Sequence, residues 1–167
     1  YALENPRGFD GYGEHCWALP RVMARALTIK LKGIERRFLD YAARGVPFGP
    51  DDGTLAPWAA VTSLPFAPKI VLPTIAFWIH KAKLKSTRTY GFASSFNPTH
   101  PQGKAKGAFG WWVSPWHFGL DEGPVVLMIE NVRSGLLWRL MRLCPYIRDG
   151  LQRAGFEGGW LDQLPRT

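Results

Sequence analysis

Residues 125 to 143 read VVLMIENVRSGLLWRLMRL, with Pro124 just before them and Pro145 just after. Helical spacing puts apolar side chains at nearly every angle of this segment. A helix that is apolar all round is buried on most of its sides. It belongs to a larger α-helical body than the rest of this chain would build. The chain also opens on Tyr1, with no leader pattern. Residues 1–167 therefore read as the C-terminal part of one larger all-α domain, whose N-terminal part would be its first partner. The same segment carries Glu130 and Asn131, and a carboxylate on a buried helix costs several kcal/mol unless it is paired.

The remaining elements are shorter. LTIKLKGIERRFLDY, residues 27 to 41, reads as two β-capable runs joined at Lys32-Gly33, a small hairpin. GVPFGPDDGT, residues 45 to 54, is a loop. A short helix is predicted over about 57–63, with Pro57 in its first turn. A second spans about 68–83, with Ile70, Val71, Thr74, Ile75, Trp78 and Ile79 at helical spacing. Residues 86 to 119 read as irregular and aromatic. The long helix is predicted from Pro124 to about Leu143, and a shorter one ends near Ala154, before Gly155.

The net charge of +8 raises nucleic acid or anionic surfaces as partners. Lys81, Lys83 and Lys85, then Lys104 and Lys106, then Arg133, Arg139 and Arg142 are the densest groups, and none forms a continuous basic run. That pattern speaks against nucleic acid. No stretch of 18 or more apolar residues is present, so no transmembrane helix is expected. Cys16 and Cys144 form no CxxC and no zinc spacing, and read as free thiols. Asp51-Asp52-Gly53 lacks the EF-hand loop pattern and reads as a turn whose Asx residue caps the next helix. Neither a metal nor a cofactor is expected.

Several residues could carry chemistry. Asp121 and Glu122 precede Pro124, and the positive end of a helix dipole there favours their ionised forms. An ionised carboxylate suits a general base or a cation contact rather than a general acid; a plain helix cap fits the same position. Glu130 and Asn131 fit either a cleft-facing role or a structural pair with an upstream basic residue, because Arg133 is expected to point elsewhere. Glu14 and Trp17 would share a face if their segment were helical, an acid beside an indole that suits a sugar. A His15/Cys16 nucleophile pair is disfavoured, because adjacent side chains rarely face one another. Eight Trp residues are present. Trp111, Trp112 and Trp116, with Phe118, fall in a predicted loop and lean toward a ligand surface.

GYGEHCW, ARGVPFGPDDGTLAPWAAVTSLPFAP, YGFASSFNPT, WVSPWHFGLDEGPVVLMIENVRSGLLWRLM and PYIRDGLQRAGF occur in this order. Together they resemble the bacterial glucoamylase-like domain family, which includes endo-β-1,2-glucanases and is related to cyclic β-1,2-glucan synthases. The resemblance implies an (α/α)6 toroid, of which this chain is the C-terminal part. It implies a glycoside hydrolase acting on a β-glucan, β-1,2-linked, by two carboxyl groups and with inversion. The alternative is a non-catalytic glycan-binding remnant. The implied partner is an oligo- or polysaccharide, and the implied location is periplasmic or secreted. Carried over, Asp121 is the catalytic base, with Glu122 as second choice. Trp17, Trp112 and Trp116 would stack on sugar rings, and Glu14, Glu130 and Asn131 would bond hydroxyls. The general acid is expected on an earlier helix outside this chain. One departure stands out: after Trp17 the family continues Gly, an apolar residue, then Thr-Ala-Ser-Asp-Gly-Pro, where this chain has ALPRVMARA, residues 18 to 26. A one-nucleotide insertion after the Trp17 codon restores most of that pattern, so these residues read either as a frameshift closing near Leu27 or as genuine divergence.

Overall fold

The computed structural model describes residues 1–19, 24–84, 90–101 and 109–162. Part of the departure at residues 18 to 26 lies outside the described residues, as do Lys85, Lys104 and Lys106.

The described chain is mostly helical, with two small antiparallel β pairs. Strands β1 (Leu27–Leu31) and β2 (Ile34–Phe38) form the expected hairpin, with Leu31 opposite Ile34. Its turn puts Lys32 at φ 50° and Gly33 at φ 83°. Two positive φ values in a row make the tight turn whose twist suits a hairpin. Helix α1 is Pro57–Thr62 and helix α2 is Pro68–His80. Each has Pro in its first turn, where the missing N–H is not needed. The buried face of α2 is Val71, Thr74 and Trp78, while Ile70 is exposed. The stretch expected to be irregular holds a second pair, β3 (Phe96–Asn97) with β4 (Trp112–Val113).

The long C-terminal helix differs from expectation at both its start and its end. Helix α3 runs Gly119–Ser134, five residues earlier than Pro124. The Phe118 carbonyl accepts the amides of Asp121 and Glu122 and starts the helix there. Gly135 then takes the left-handed conformation at φ 67° and ends it. Helix α4, Leu136–Leu143, follows as a separate piece, and α5, Pro145–Arg153, follows that. Their apolar residues are not buried within this chain. Leu120, Val126, Val132, Leu140 and Leu143 are exposed, and α4 and α5 bury no residue. Helix α3 packs against α1, and α4 and α5 pack on their sequence neighbours. The chain thus covers one side only of the segment that its sequence marks for burial on most sides.

The core gathers Cys16, Leu55, Ala60, Trp78, Ala82 and Phe96. Trp78 meets Phe92 and Phe96 edge-on at 5.8 and 5.7 Å between ring centroids, a geometry that suits the ring quadrupoles. Beside it sits a buried polar network. Arg44 donates from Nε to Asp52 Oδ1 at 2.7 Å and from Nη2 to Oδ2 at 2.8 Å. Asp52 also accepts the amides of Leu39 and Thr54 at 2.8 and 3.0 Å. Asn97 donates to the Asp52 carbonyl and to Thr54 Oγ1, both at 3.0 Å, and accepts the amides of Thr99 and His100. Burial alone would raise the Asp52 carboxyl, but Arg44, the Leu39 amide and the Thr54 hydroxyl hold it below the usual carboxylate value. Gly53, at φ +80°, lies so close to Phe9 that a Cβ would fall 2.7 Å from its Cδ1, so the tight turn needs glycine. Asp51 and Asp52 thus make Asx turns to Gly53 and Thr54. The expected helix cap is absent: α1 has Ala56 at its N-cap and no side-chain cap bond.

Arg44→Met would leave Asp52 buried without its counter-charge, a loss of about 3–5 kcal/mol in urea unfolding. Because the folded-state pKa of Asp52 is lowered, its stabilisation is present above the ordinary carboxylate value and disappears as pH falls through the lowered one. The gap between Arg44→Met and the parent should therefore narrow in strong acid, and a pH-independent gap would contradict this. Both cysteines are free, and burial pushes the Cys16 thiol up to about 12. Cys16 is expected to resist iodoacetamide at pH 8 while half-buried Cys144 reacts; mass spectrometry of the labelled peptides decides.

Candidate active site

A cavity of about 230 Å³ lies between α1, α2, α3 and the loop at residues 91–93. Trp58 and Val61 come from α1, Ile75 from α2, and Asp121, Glu122, Val125 and Ile129 from α3; Phe92 closes it from the loop. The helix start described above produces this placement. With α3 beginning at Gly119, Asp121 and Glu122 stand in its first turn and face α1 rather than preceding the helix.

Asp121 is only 6% exposed, and its Oδ2 has no hydrogen-bond partner. Burial raises its pKa above the ordinary value, and the nearby Ser94 hydroxyl only partly opposes this. Glu122 is also raised, first by burial and then by the Asp121 charge, while His117 works against the shift. His117 Nδ1 stands 3.8 Å from Glu122 Oε1, ion-pair range and too long for a hydrogen bond. The expected helix-dipole effect is therefore outweighed. A helix end favours a surface carboxylate by only about 0.3–1 kcal/mol, whereas removing a carboxylate from water costs more.

The cavity gathers just two of the residues singled out by sequence, Asp121 and Glu122. Trp116 is near: its carbonyl accepts the Ser94 amide at 3.0 Å, and its ring is 43% exposed. Trp112 is different. The β3–β4 pairing turns it inward, where it is 7% exposed and tilted against His100 at 5.5 Å. Trp111 is half-buried and stacks on Phe96 at 5.5 Å, so Trp112 packs as core and Trp111 against its edge. Residues 13–16 form a bridged turn, not a helix, so Glu14 and Trp17 share no helical face. Glu14 is exposed, and Trp17 donates from Nε1 to Thr74 Oγ1 at 3.2 Å. Glu130 has a downstream partner where an upstream one was expected: its Oε2 lies 3.4 Å from Arg133 Nε and its Oε1 accepts the Ser134 hydroxyl at 2.7 Å. Arg133, three residues on, reaches it along the helix surface. Asn131 is 3% exposed and accepts the Trp138 amide at 3.1 Å, which joins α3 to α4 across the Gly135 break. Sequence reasoning gave no role to Trp58, Ser94 or His117. His117 stands beside the carboxylates in WHFGLDE; Trp58 and Ser94 carry no local signal, because separate segments bring them to Asp121.

A family model with the description "Putative glucoamylase" matches residues 1–145. The chain belongs to this glucoamylase-like family. It is 31% identical over 153 residues to the exo β-1,2-glucooligosaccharide sophorohydrolase (non-reducing end) of Parabacteroides distasonis, covering 92% of this chain and 18% of that protein. Among solved structures, a "putative glucoamylase" of Bacteroides uniformis superposes with TM-score 0.73 at 32% identity, over 96% of this chain and 33% of that one. The endo-β-1,2-glucanase of Chitinophaga pinensis, solved with sophorotriose and glucose, superposes with TM-score 0.68 at 30% identity, over 90% of this chain and 31% of its own. This glucoamylase-like chain thus spans about a third or less of the relatives it matches.

The folded state holds the Asp121 proton more tightly than the unfolded chain does. That group's contribution to stability is greatest below the ordinary carboxylate value, about pH 4, and falls as pH rises through the raised value. Asp121→Asn should therefore gain melting temperature relative to the parent as pH rises from 3 to 7. A difference that stays constant with pH would remove the shift.

Proposed function

We propose that this chain is the C-terminal portion of an (α/α)6 toroid that hydrolyses a β-1,2-linked glucan, with Asp121 as general base and Glu122 beside it. The single observation that carries the reading is the Asp121 carboxyl, a buried group with an unpartnered oxygen, on a residue that lines the cavity shared by α1, α2 and α3. Family membership supports it, and so do relatives whose names specify β-1,2-glucan hydrolysis. A base works best when its pKa approaches the working pH, and burial shifts Asp121 in that direction. Inversion needs an acid and a base about 6.5–9.5 Å apart, on opposite faces of the sugar bond. Neighbouring carboxyls on one helix turn cannot straddle a bond in that way. The acid is therefore assigned to a segment that packs over the exposed faces of α3 to α5. Trp116 is the aromatic best placed to stack on a sugar, being half-exposed at the entry to α3. Glu14, Trp17, Trp112, Glu130 and Asn131 would support the cleft from further out. A non-catalytic glycan-binding role is the second reading, favoured by the absence of an opposed second carboxyl in the cavity among the described residues.

In a relative carrying the whole domain, replacing the aspartate aligned with Asp121 by asparagine should lower kcat on linear β-1,2-glucan by at least about a hundredfold. Turnover within a few-fold of the parent would take Asp121 out of the mechanism. Glycan binding by this chain without release of reducing sugar would favour the second reading.

A further inference from the structure

The walls of the Asp121 cavity are largely apolar, yet two residues that line it each hold a buried polar atom without a hydrogen-bond partner, Trp58 Nε1 and Asp121 Oδ2, and the Ser94 hydroxyl acts on the Asp121 carboxyl beside them. Trp58 and Asp121 line the cavity directly; Ser94 follows Ala93 in its wall and stands near enough to Asp121 to influence its carboxyl. Buried polar groups in folded proteins nearly always find a partner, and each one left alone costs about 1–3 kcal/mol. Two such atoms, carried to one cavity by separate helices, can be satisfied together by one ligand.

Their chemistry is complementary. The indole nitrogen only donates, an ionised carboxylate only accepts, and a serine hydroxyl does both. A sugar hydroxyl can accept from the first and donate to the second at once. The apolar C–H face of the same ring suits the surrounding Val61, Ile75, Phe92 and Val125. Trp58 sits at the second position of α1, and α1 is the element that packs on α3. Its indole is thus carried by the same packing that buries Asp121.

We propose that Trp58 is a specificity-determining residue, donating from Nε1 to a hydroxyl of a glucosyl unit whose neighbouring polar contacts are Ser94 Oγ and Asp121 Oδ2. This rests on the β-glucan reading above and adds to it the group that recognises the sugar. A structural tryptophan needs only its ring. A recognising tryptophan needs its N–H, so Trp58→Phe separates the two.

The test is to titrate the ¹⁵N-labelled full chain with sophorotriose and follow the indole N–H signals by NMR, using Trp58→Phe to identify the Trp58 signal. The Trp58 signal is expected to move with saturation. Trp58→Phe should weaken binding about tenfold, the loss of one buried hydrogen bond, and Ser94→Ala should weaken it less. Cellotriose, with the same sugar but another linkage, should bind more weakly. Movement of other indole signals with Trp58 static would overturn this assignment and leave the β-glucan reading standing. No movement of any indole signal and no heat of binding would end both. Trp58→Tyr, which also lacks the indole N–H, identifies the parent's Trp58 signal if the phenylalanine variant folds poorly.

Discussion

The buried Arg44–Asp52 pair is the constraint on which the other elements depend. Its side chains are 0% and 1% exposed, so water screens neither charge. Such a pair tolerates little displacement, because losing one partner strands the other in a medium that cannot solvate it. Asp52 takes the Leu39 amide at the end of the hairpin, and Asn97 bonds its carbonyl from β3. Leu55 and Phe96 then exchange backbone bonds at 2.8 and 2.9 Å. One ion pair thus fixes the hairpin, the loop before α1 and the strand before the aromatic segment. The start of α1 and the loop at residues 91–93 inherit their positions from it.

The cavity lies downstream of that arrangement. Helix α1 brings Trp58 and α3 brings Asp121, and the two helices meet face to face. Burial of Asp121 raises its pKa and leaves one oxygen open, which costs stability in the resting protein. Active sites commonly carry such strain, which the surrounding fold offsets. Here the offset comes from the satisfied network around Asp52, where nearly every charge and amide has its partner. The two aspartates show opposite shifts for one reason: both are buried, but only Asp52 has a cation and amides aimed at it.

Much of the element order was legible because local chemistry sets it. Lys32-Gly33 made the hairpin turn, Pro57 and Pro68 opened helices, and Val71, Thr74 and Trp78 marked a buried face. The long helix was misread where two local signals competed. Pro124 looked like a start, but the Phe118 carbonyl begins the helix earlier. Gly135 falls inside the predicted helix, but its left-handed backbone ends α3 there. The inward turn of Trp112 is not legible in the sequence, because a two-residue strand pair is too short to show a period. Glu130 has the structural partner that one of its two readings expected, but Arg133 and Ser134 supply it along the helix surface rather than an upstream residue.

By itself the sequence determined the family, the hairpin, the order of helices and the GLDEGP carboxylates as the residues of interest. These follow from ordered motifs and from backbone preferences that act within a few residues. Only the tertiary structure decided that Asp121 is buried, with its pKa raised by that burial rather than lowered by a helix dipole. Solvation depends on what packs around a group, and here that means Trp58, Phe92 and Ser94 from distant parts of the chain. It also decided that the apolar faces of α3 to α5 stay open within this chain. A periodic pattern records that a face is apolar, whereas its cover is a matter of which segments reach it.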